Sequence, residues 1–190
     1  MENKREDKWE KMTAMGEKGE WKQPGKEMQM AEAADSWMRL EMDSRSANEE
    51  FARVTAAVFM SRMNPTLEEM EDVKTAVSEA VTNAVIHGYG KEIGIIYIEA
   101  QVEGNQLTIA IEDRGVGIAD IKKAMEPMYT GDPSGERSGM GFSFMEAFMD
   151  EVNVESELGH GTRVTMKKKI GTMAQKSEVE NLDETEPFYG

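Results

Sequence analysis

The stretch that most constrains the fold begins at Thr66 and ends at Gly90. Thr66 with Glu69 three residues on is a capping box, in which each side chain satisfies the other residue's backbone N–H at the start of a helix. Ala76, Val77, Ala80, Val81, Ala84 and Val85 then recur at helical spacing. That periodicity predicts one amphipathic helix over 67–87 with this stripe buried. Gly88, Tyr89 and Gly90 end it. Within the run SEAVTNAVIHGY, Glu79 and Asn83 are four apart and lie one above the other on a second face. Taken alone, a carboxylate one turn from a carboxamide is a common solvated pair.

The flanking segments supply a sheet for that stripe to cover. Met38-Arg39-Leu40-Glu41-Met42 alternates and reads as an edge strand. A helix is expected over 47–62, with Ser46 or Asn48 as cap and Glu49 and Glu50 favourable in its first turn. Phe51, Val54, Thr55, Val58 and Phe59 form its expected buried stripe, which leaves Arg53 exposed. Asn64-Pro65 breaks the chain before the central helix. Strands follow near 94–102 and 106–112, joined at Gly104-Asn105, a hairpin signal. A short helix is expected over 118–125, a mobile loop over 127–138, a helix over 142–149, and paired strands over 151–157 and 163–169. Helices on one face of a mixed, mostly antiparallel sheet make an α+β fold, a two-layer α/β sandwich.

The folded domain is expected over 38–170. Residues 1–37 carry seven Lys and Arg against nine Asp and Glu, with Gly and Pro breakers and no useful apolar stripe. They read as an extension without a packed core. Trp9, Trp21 and Trp37 are its odd feature, either docking anchors or incidental residues. Residues 171–190 read as a disordered acidic tail with five carboxylates and one lysine.

A net charge of −15 argues against non-specific nucleic-acid binding and fits either solubility or a partner with a basic surface. No run approaches the roughly 18 apolar residues of a membrane helix, and no secretory signal is visible at the start. Cysteine is absent, which excludes disulfides and Cys-ligated zinc and fits a cytoplasmic setting.

Asp113 ends the strand LTIAIED, in the run Asp113-Arg114-Gly115-Val116-Gly117-Ile118. A carboxylate held there accepts a hydrogen bond from an exocyclic amine such as that of adenine. Gly115 and Gly117 let the backbone turn sharply and approach a ligand. By itself the run is equally a plain hairpin turn. Gly139 and Gly141 precede a helix whose first amides suit phosphate, and Arg137 is placed to meet a terminal phosphate. Asn83 offers an oxygen of the hard type that Mg²⁺ takes. Glu79, one turn away, is placed to accept a proton from an attacking hydroxyl. His87 reads as a helix-end residue rather than a phosphoacceptor, and His160 as part of a turn. No phosphate-binding loop of the G-x-x-x-x-G-K-[ST] type is present.

Three of these segments, with the final Gly161-Thr162 as a fourth, occur in the order of the N, G1 and G2 boxes and final Gly-Thr of the GHKL ATPases, and the chain resembles that superfamily. Ser46-x-Asn48-Glu49-x-Phe51-Ala52-Arg53-Val54, Asn64-Pro65-Thr66, SEAVTNAVIHGY and ERSGMGF narrow the resemblance to the anti-sigma F factor family of spore-forming bacteria, over about 38–169. The resemblance implies the Bergerat, histidine-kinase-like ATPase fold. It implies a homodimer that holds a sporulation sigma factor when ATP is bound and phosphorylates a serine of an anti-anti-sigma factor. With ADP it would bind that unphosphorylated partner instead.

Carried over by residue, the resemblance makes Glu79 the general base, Asn83 the Mg²⁺ ligand and Asp113 the adenine-reading carboxylate beside Gly115 and Gly117. It makes Arg137 the γ-phosphate contact, Gly139 and Gly141 the phosphate-side glycines, Thr162 a neighbour of adenine and Arg53 a contact for both protein partners. Thr130-Gly131-Asp132-Pro133 departs from the family's common Thr-Thr-Lys-Pro and puts a negative charge near the phosphates. That departure, and the two extensions, leave open an ATP-gated sigma-binding module with weak kinase activity. A stress-response switch kinase of the same superfamily is the other alternative. A sensor histidine kinase is disfavoured, because no membrane span, sensor domain or phosphoacceptor helix is visible.

Overall fold

The computed structural model describes residues 35–126 and 139–171. The expected N-terminal extension up to residue 34, the loop over 127–138 and the acidic tail from 172 lie outside the described residues. The elements run β1 (Ser36–Asp43), α1 (Asn48–Met60) with a 3-10 turn at Ser61–Met63, α2 (Leu67–Asn83) continuing as a π-helical turn at Ala84–Tyr89, β2 (Ile95–Glu103), β3 (Gln106–Asp113), α3 (Ile121–Ala124), α4 (Gly141–Phe148), β4 (Glu151–Glu157) and β5 (Gly161–Lys169).

Among the described residues one five-stranded sheet has the order β1-β2-β3-β5-β4, and every neighbouring pair is antiparallel. The expected mixed sheet is corrected in that respect: β4 and β5 form a hairpin, and its second strand, β5, joins β3 antiparallel. Register decides what faces the helices. Ile98 lies opposite Ile111 and Ala100 opposite Ile109, while Ile109 and Ile111 lie opposite Met166 and Val164. With period two, these residues form one apolar face, and all of them are buried. The helices cover this face with Ala76, Val77, Ala80, Val81 and Met145.

The opposite face carries charge. Arg163 donates to Glu99 and Glu112 at 2.7 Å each, bridging β5, β3 and β2. Two-sided patterning of this kind, one apolar and one polar face, is what an antiparallel sheet with a single helical layer requires.

The capping box forms as expected. The Glu69 N–H donates to Thr66 Oγ1 at 3.2 Å, and the Thr66 N–H donates to Glu69 Oε2 at 2.7 Å. Asn64 takes the left-handed conformation at φ 53°, turning the chain before Pro65. Two local expectations are corrected. Neither Ser46 nor Asn48 caps α1 through its side chain; the cap residue is Ala47, and the Asn48 amide donates instead to Asp43. The first strand also starts earlier than expected. Trp37, assigned from sequence to the extension, lies in β1 opposite Gln101 and is 54% exposed.

The buried stripe of α1 is also corrected. Phe51, Val54 and Val58 are 55%, 45% and 66% exposed, whereas Ala52, Ala56, Ala57, Phe59 and Met60 are buried. Both sets recur at helical spacing. The alanine face wins because α1 lies directly against α2, where Ser78 donates to Glu49, and a close approach of two helices favours small side chains. Arg53, expected to be exposed, is half-buried: one guanidinium nitrogen reaches Glu50 at 3.3 Å, and its Nε is buried with no hydrogen-bond partner among the described residues.

Candidate nucleotide-binding site

Asp113 is the last residue of an inward-facing apolar row, after Leu107, Ile109 and Ile111. Strand periodicity therefore aims its carboxylate under the helices rather than into solvent, and the residue is 5% exposed. Oδ1 accepts from the Gly115 N–H at 2.8 Å. Burial nevertheless dominates and raises the carboxyl to about 6; hydrogen bonds from the Gly115 and Thr162 N–H groups oppose that rise, and the neighbouring Glu112 charge adds to it. A buried carboxylate of this kind, at the mouth of the helical layer, is a strong acceptor for a ligand N–H.

The chain makes room for that carboxylate with glycines. A β-carbon on Gly88, at the end of the π-helical turn, would lie 2.7 Å from Asp113 Oδ1. One on Gly161 would lie 2.0 Å from the Asp113 carbonyl oxygen, and one on Gly115 2.0 Å from the Gly88 carbonyl oxygen. Gly88 thus packs on the Asp113 carboxylate, Gly161 on the Asp113 main chain, and Gly115 on Gly88 itself. The Val116 N–H donates to Gly88 O at 3.0 Å and completes the junction. Thr162 lies directly opposite Asp113 on β5.

Glu79 and Asn83 project from α2 toward the start of α4. A β-carbon on Gly141 would stand 3.0 Å from Glu79 Oε2 and 3.3 and 3.4 Å from the two polar atoms of the Asn83 amide. The structure therefore brings Glu79, Asn83 and Gly141 together, and separately Asp113, Gly115 and Thr162. The π-helical turn links the groups, since it begins immediately after Asn83 and ends at Gly88-Tyr89. Helices of this type are rare and concentrate at functional sites. Expected from sequence was an uninterrupted α-helix to residue 87; the last turn is π-helical instead. Gly117 takes φ +71° and abuts the Glu157 carbonyl, so it serves the turn. Gly139, at φ +63°, precedes α4. Arg137 and Asp132 lie outside the described residues. Arg53 stands on α1 and is not part of this cluster. His87 and His160 are both exposed, on the π-helical turn and the β4–β5 turn.

Sequence reasoning assigned no role in the site to Gly88 or to two hydroxyls, Tyr89 and Ser156. From sequence, Tyr89 reads as part of the helix terminus. Ser156 follows Val152 and Val154 at period two and lies opposite Thr162. It therefore continues the row Asp113, Thr162, Ser156 across three strands. The available signal was an inward apolar row ending on a small polar residue, repeated on adjacent strands.

The residues fit an adenine nucleotide with a divalent cation. The buried carboxylate is of the type that can accept an exocyclic amine, the glycines let the segments around it pack closely, and the Asn83 amide offers an oxygen of the hard type such a cation takes. Among the described residues no helix is long and apolar enough to cross a membrane.

Residues 42–168 match the histidine kinase-like ATPase domain family, a type of domain that implies nucleotide binding. An anti-sigma F factor of Clostridium acetobutylicum is 58% identical over 133 residues, spanning 70% of this chain and 93% of that protein. One of Clostridium kluyveri is 54% identical over 140 residues, spanning 74% of this chain and 99% of that protein. Among solved structures, the RsbU and RsbW domains of a Mycobacterium tuberculosis protein superpose with a TM-score of 0.51 at 17% identity, over 71% of this chain and 32% of that one. That likeness concerns the fold alone. Together the match across the domain and the near-complete coverage of these relatives show that the chain belongs to the anti-sigma F factor family of histidine kinase-like ATPase domains.

Proposed function

We propose that the protein is an anti-sigma factor and ATP-dependent protein-serine kinase. In the ATP state it holds a sporulation sigma factor of the F type. It transfers phosphate from Mg-ATP to a serine of an anti-anti-sigma factor, and it acts as a cytoplasmic homodimer. The observation that carries this reading is the convergence of Glu79, Asn83 and Gly141 on one side of the π-helical turn and the buried Asp113 on the other. In this reading it is one site for both ends of a nucleotide, in a domain more than half identical to anti-sigma F factors over the 133–140 residues they share.

In this reading Asp113 accepts the adenine amine, with Gly115, Gly117 and Thr162 around the base. Asn83 holds Mg²⁺ beside the phosphates. Gly139, Gly141 and Arg137 attend the phosphates, and Glu79 takes the proton of the attacking serine hydroxyl. The nucleotide supplies the transferable phosphoryl group and the charge that the cation offsets. The exposed apolar face of α1, with Phe51, Val54 and Val58 beside Arg53, supports a protein-binding role for that helix.

The test uses the full chain, Mg²⁺, γ-labelled ATP and an anti-anti-sigma protein from the same genome. Label is expected on a serine of the partner. Glu79→Ala should abolish transfer, a loss of roughly 10²–10⁴-fold, while ATP binding survives. A fully active Glu79→Ala protein would overturn the assigned role. ATP-dependent sigma binding with no transfer would favour the pure binding module, for which Asp132 in place of a lid lysine is the motivating residue.

A further inference from the structure

The loop over 114–118, which follows Asp113, is held at both ends by side-chain hydroxyls. At its start the Arg114 N–H donates to the Tyr89 hydroxyl at 2.8 Å. That hydroxyl donates in turn to Ile95 O at 2.6 Å. The ring is fixed against Gly94, where a β-carbon would lie 2.0 Å from it. At the far end the Ile118 N–H donates to Ser156 Oγ at 2.8 Å. Ser156 donates to Gly161 O at 2.8 Å and lies 2.9 Å from the Thr162 hydroxyl. A hydroxyl has one donor and two acceptor sites. With Thr162 donating, Ser156 uses all three, on the loop, on Gly161 and on Thr162. Between the clamps, Gly115 N–H is bonded to Asp113 and Val116 N–H to Gly88 O.

We infer that Tyr89 and Ser156 are positioning residues for the nucleotide, which hold the 114–118 loop and the Thr162 hydroxyl in the arrangement that receives the base. This rests on the nucleotide-site reading above. Neither hydroxyl is assigned to the ligand: each acts through backbone that borders Asp113, and Ser156 also through Thr162. Without the clamps the loop amides lose partners and the turn samples other conformations. The order must then be restored when the nucleotide binds, which weakens binding without altering the chemistry at Glu79.

The test compares full-length wild type with Tyr89→Phe, Ser156→Ala and Ser156→Thr. ATP and ADP affinity are measured by calorimetry, and phosphotransfer by steady-state kinetics. Removing either hydroxyl should weaken both nucleotides and raise KM for ATP by roughly 5–30-fold, the range for one lost hydrogen bond to a partly buried amide. Turnover at saturating ATP should change by less than about twofold, because the lost interaction is made equally in ground and transition states. Ser156→Thr keeps the hydroxyl and should restore affinity.

Amide hydrogen exchange on the nucleotide-free wild type is independent of any variant's folding. Arg114 and Ile118 should both be protected, and rapid exchange at either would overturn the inference. Folded variants with unchanged affinity would overturn it too, as would a loss of turnover with affinity intact. A wild type that binds no ATP would instead overturn the nucleotide-site reading itself, a result visible before any variant is made.

Discussion

Asp113→Asn separates the cost of burying a charge from the use made of it. In the folded protein the carboxyl titrates at about 6, against 3.8 in the unfolded chain. Between those values the folded state holds a proton that the unfolded state has released, so stability falls as pH rises through the window. The difference corresponds to roughly 3 kcal/mol once Asp113 is fully ionised in both states. The net charge of −15 puts the isoelectric point well below neutral, so a practical titration stays at pH 5 to 8. About 1.4 kcal/mol of the effect falls in that interval.

Asparagine has no charge to desolvate. Urea unfolding of wild type and variant at several pH values should therefore show the wild type losing about 1.4 kcal/mol relative to the variant from pH 5 to pH 8. Comparing the two cancels the other carboxylates. If Asp113 receives adenine as proposed, the same proton should oppose binding, since only the ionised form offers both oxygens as acceptors. Wild-type ATP affinity should thus weaken as pH drops below about 6, and Asp113→Asn should bind ATP at least roughly tenfold more weakly at pH 8. A stability difference that is flat with pH would refute the buried-carboxyl argument, and unaltered affinity would refute its role in binding.

Three further perturbations test other parts of the structure. Gly88→Ala would put a β-carbon 2.7 Å from Asp113 Oδ1; it should cost about 1–3 kcal/mol in chemical denaturation and remove measurable ATP binding. Thr66→Ala removes the hydroxyl that accepts the Glu69 N–H, and should lower the unfolding free energy by about 1 kcal/mol with nucleotide affinity unchanged. On α1, Ala56→Leu should cost about 1–3 kcal/mol because the site is closed. Val58→Asp, on the exposed face, should stay within about 0.5 kcal/mol of wild type by the same assay while weakening capture of the sigma factor in Mg-ATP.

What was legible in the sequence follows the strength of local signals. The capping box at Thr66 and the Ala76–Val85 stripe specified the central helix because both depend on residues within a few positions of each other. The hairpin at Gly104-Asn105 and the strands beside it were equally local. The stripe of α1 was not, because two faces share the helical period and only the distance to α2 selects the one rich in alanine. The uniform antiparallel pairing depends on which strand β5 joins, a long-range fact.

In the site, Asp113, Gly115 and Gly117 stand out by residue type, whereas Gly88 does not. Tyr89 and Ser156 do not, since a hydroxyl becomes informative only when its partners are known, and their partners in the 114–118 loop lie 25 and 38 residues away. The cross-strand row of Asp113, Thr162 and Ser156 likewise needs the register to be seen.

On this reading, a nucleotide in the site governs the hold on a sigma factor. The most direct measurement is capture of a purified F-type sigma factor by the full-length protein in Mg-ATP and, separately, in Mg-ADP, with Asp113→Asn alongside. A stable complex is expected with ATP, a much weaker one with ADP, and no difference between nucleotides for Asp113→Asn. Equal capture by wild type in both nucleotides, or none in either, would contradict it.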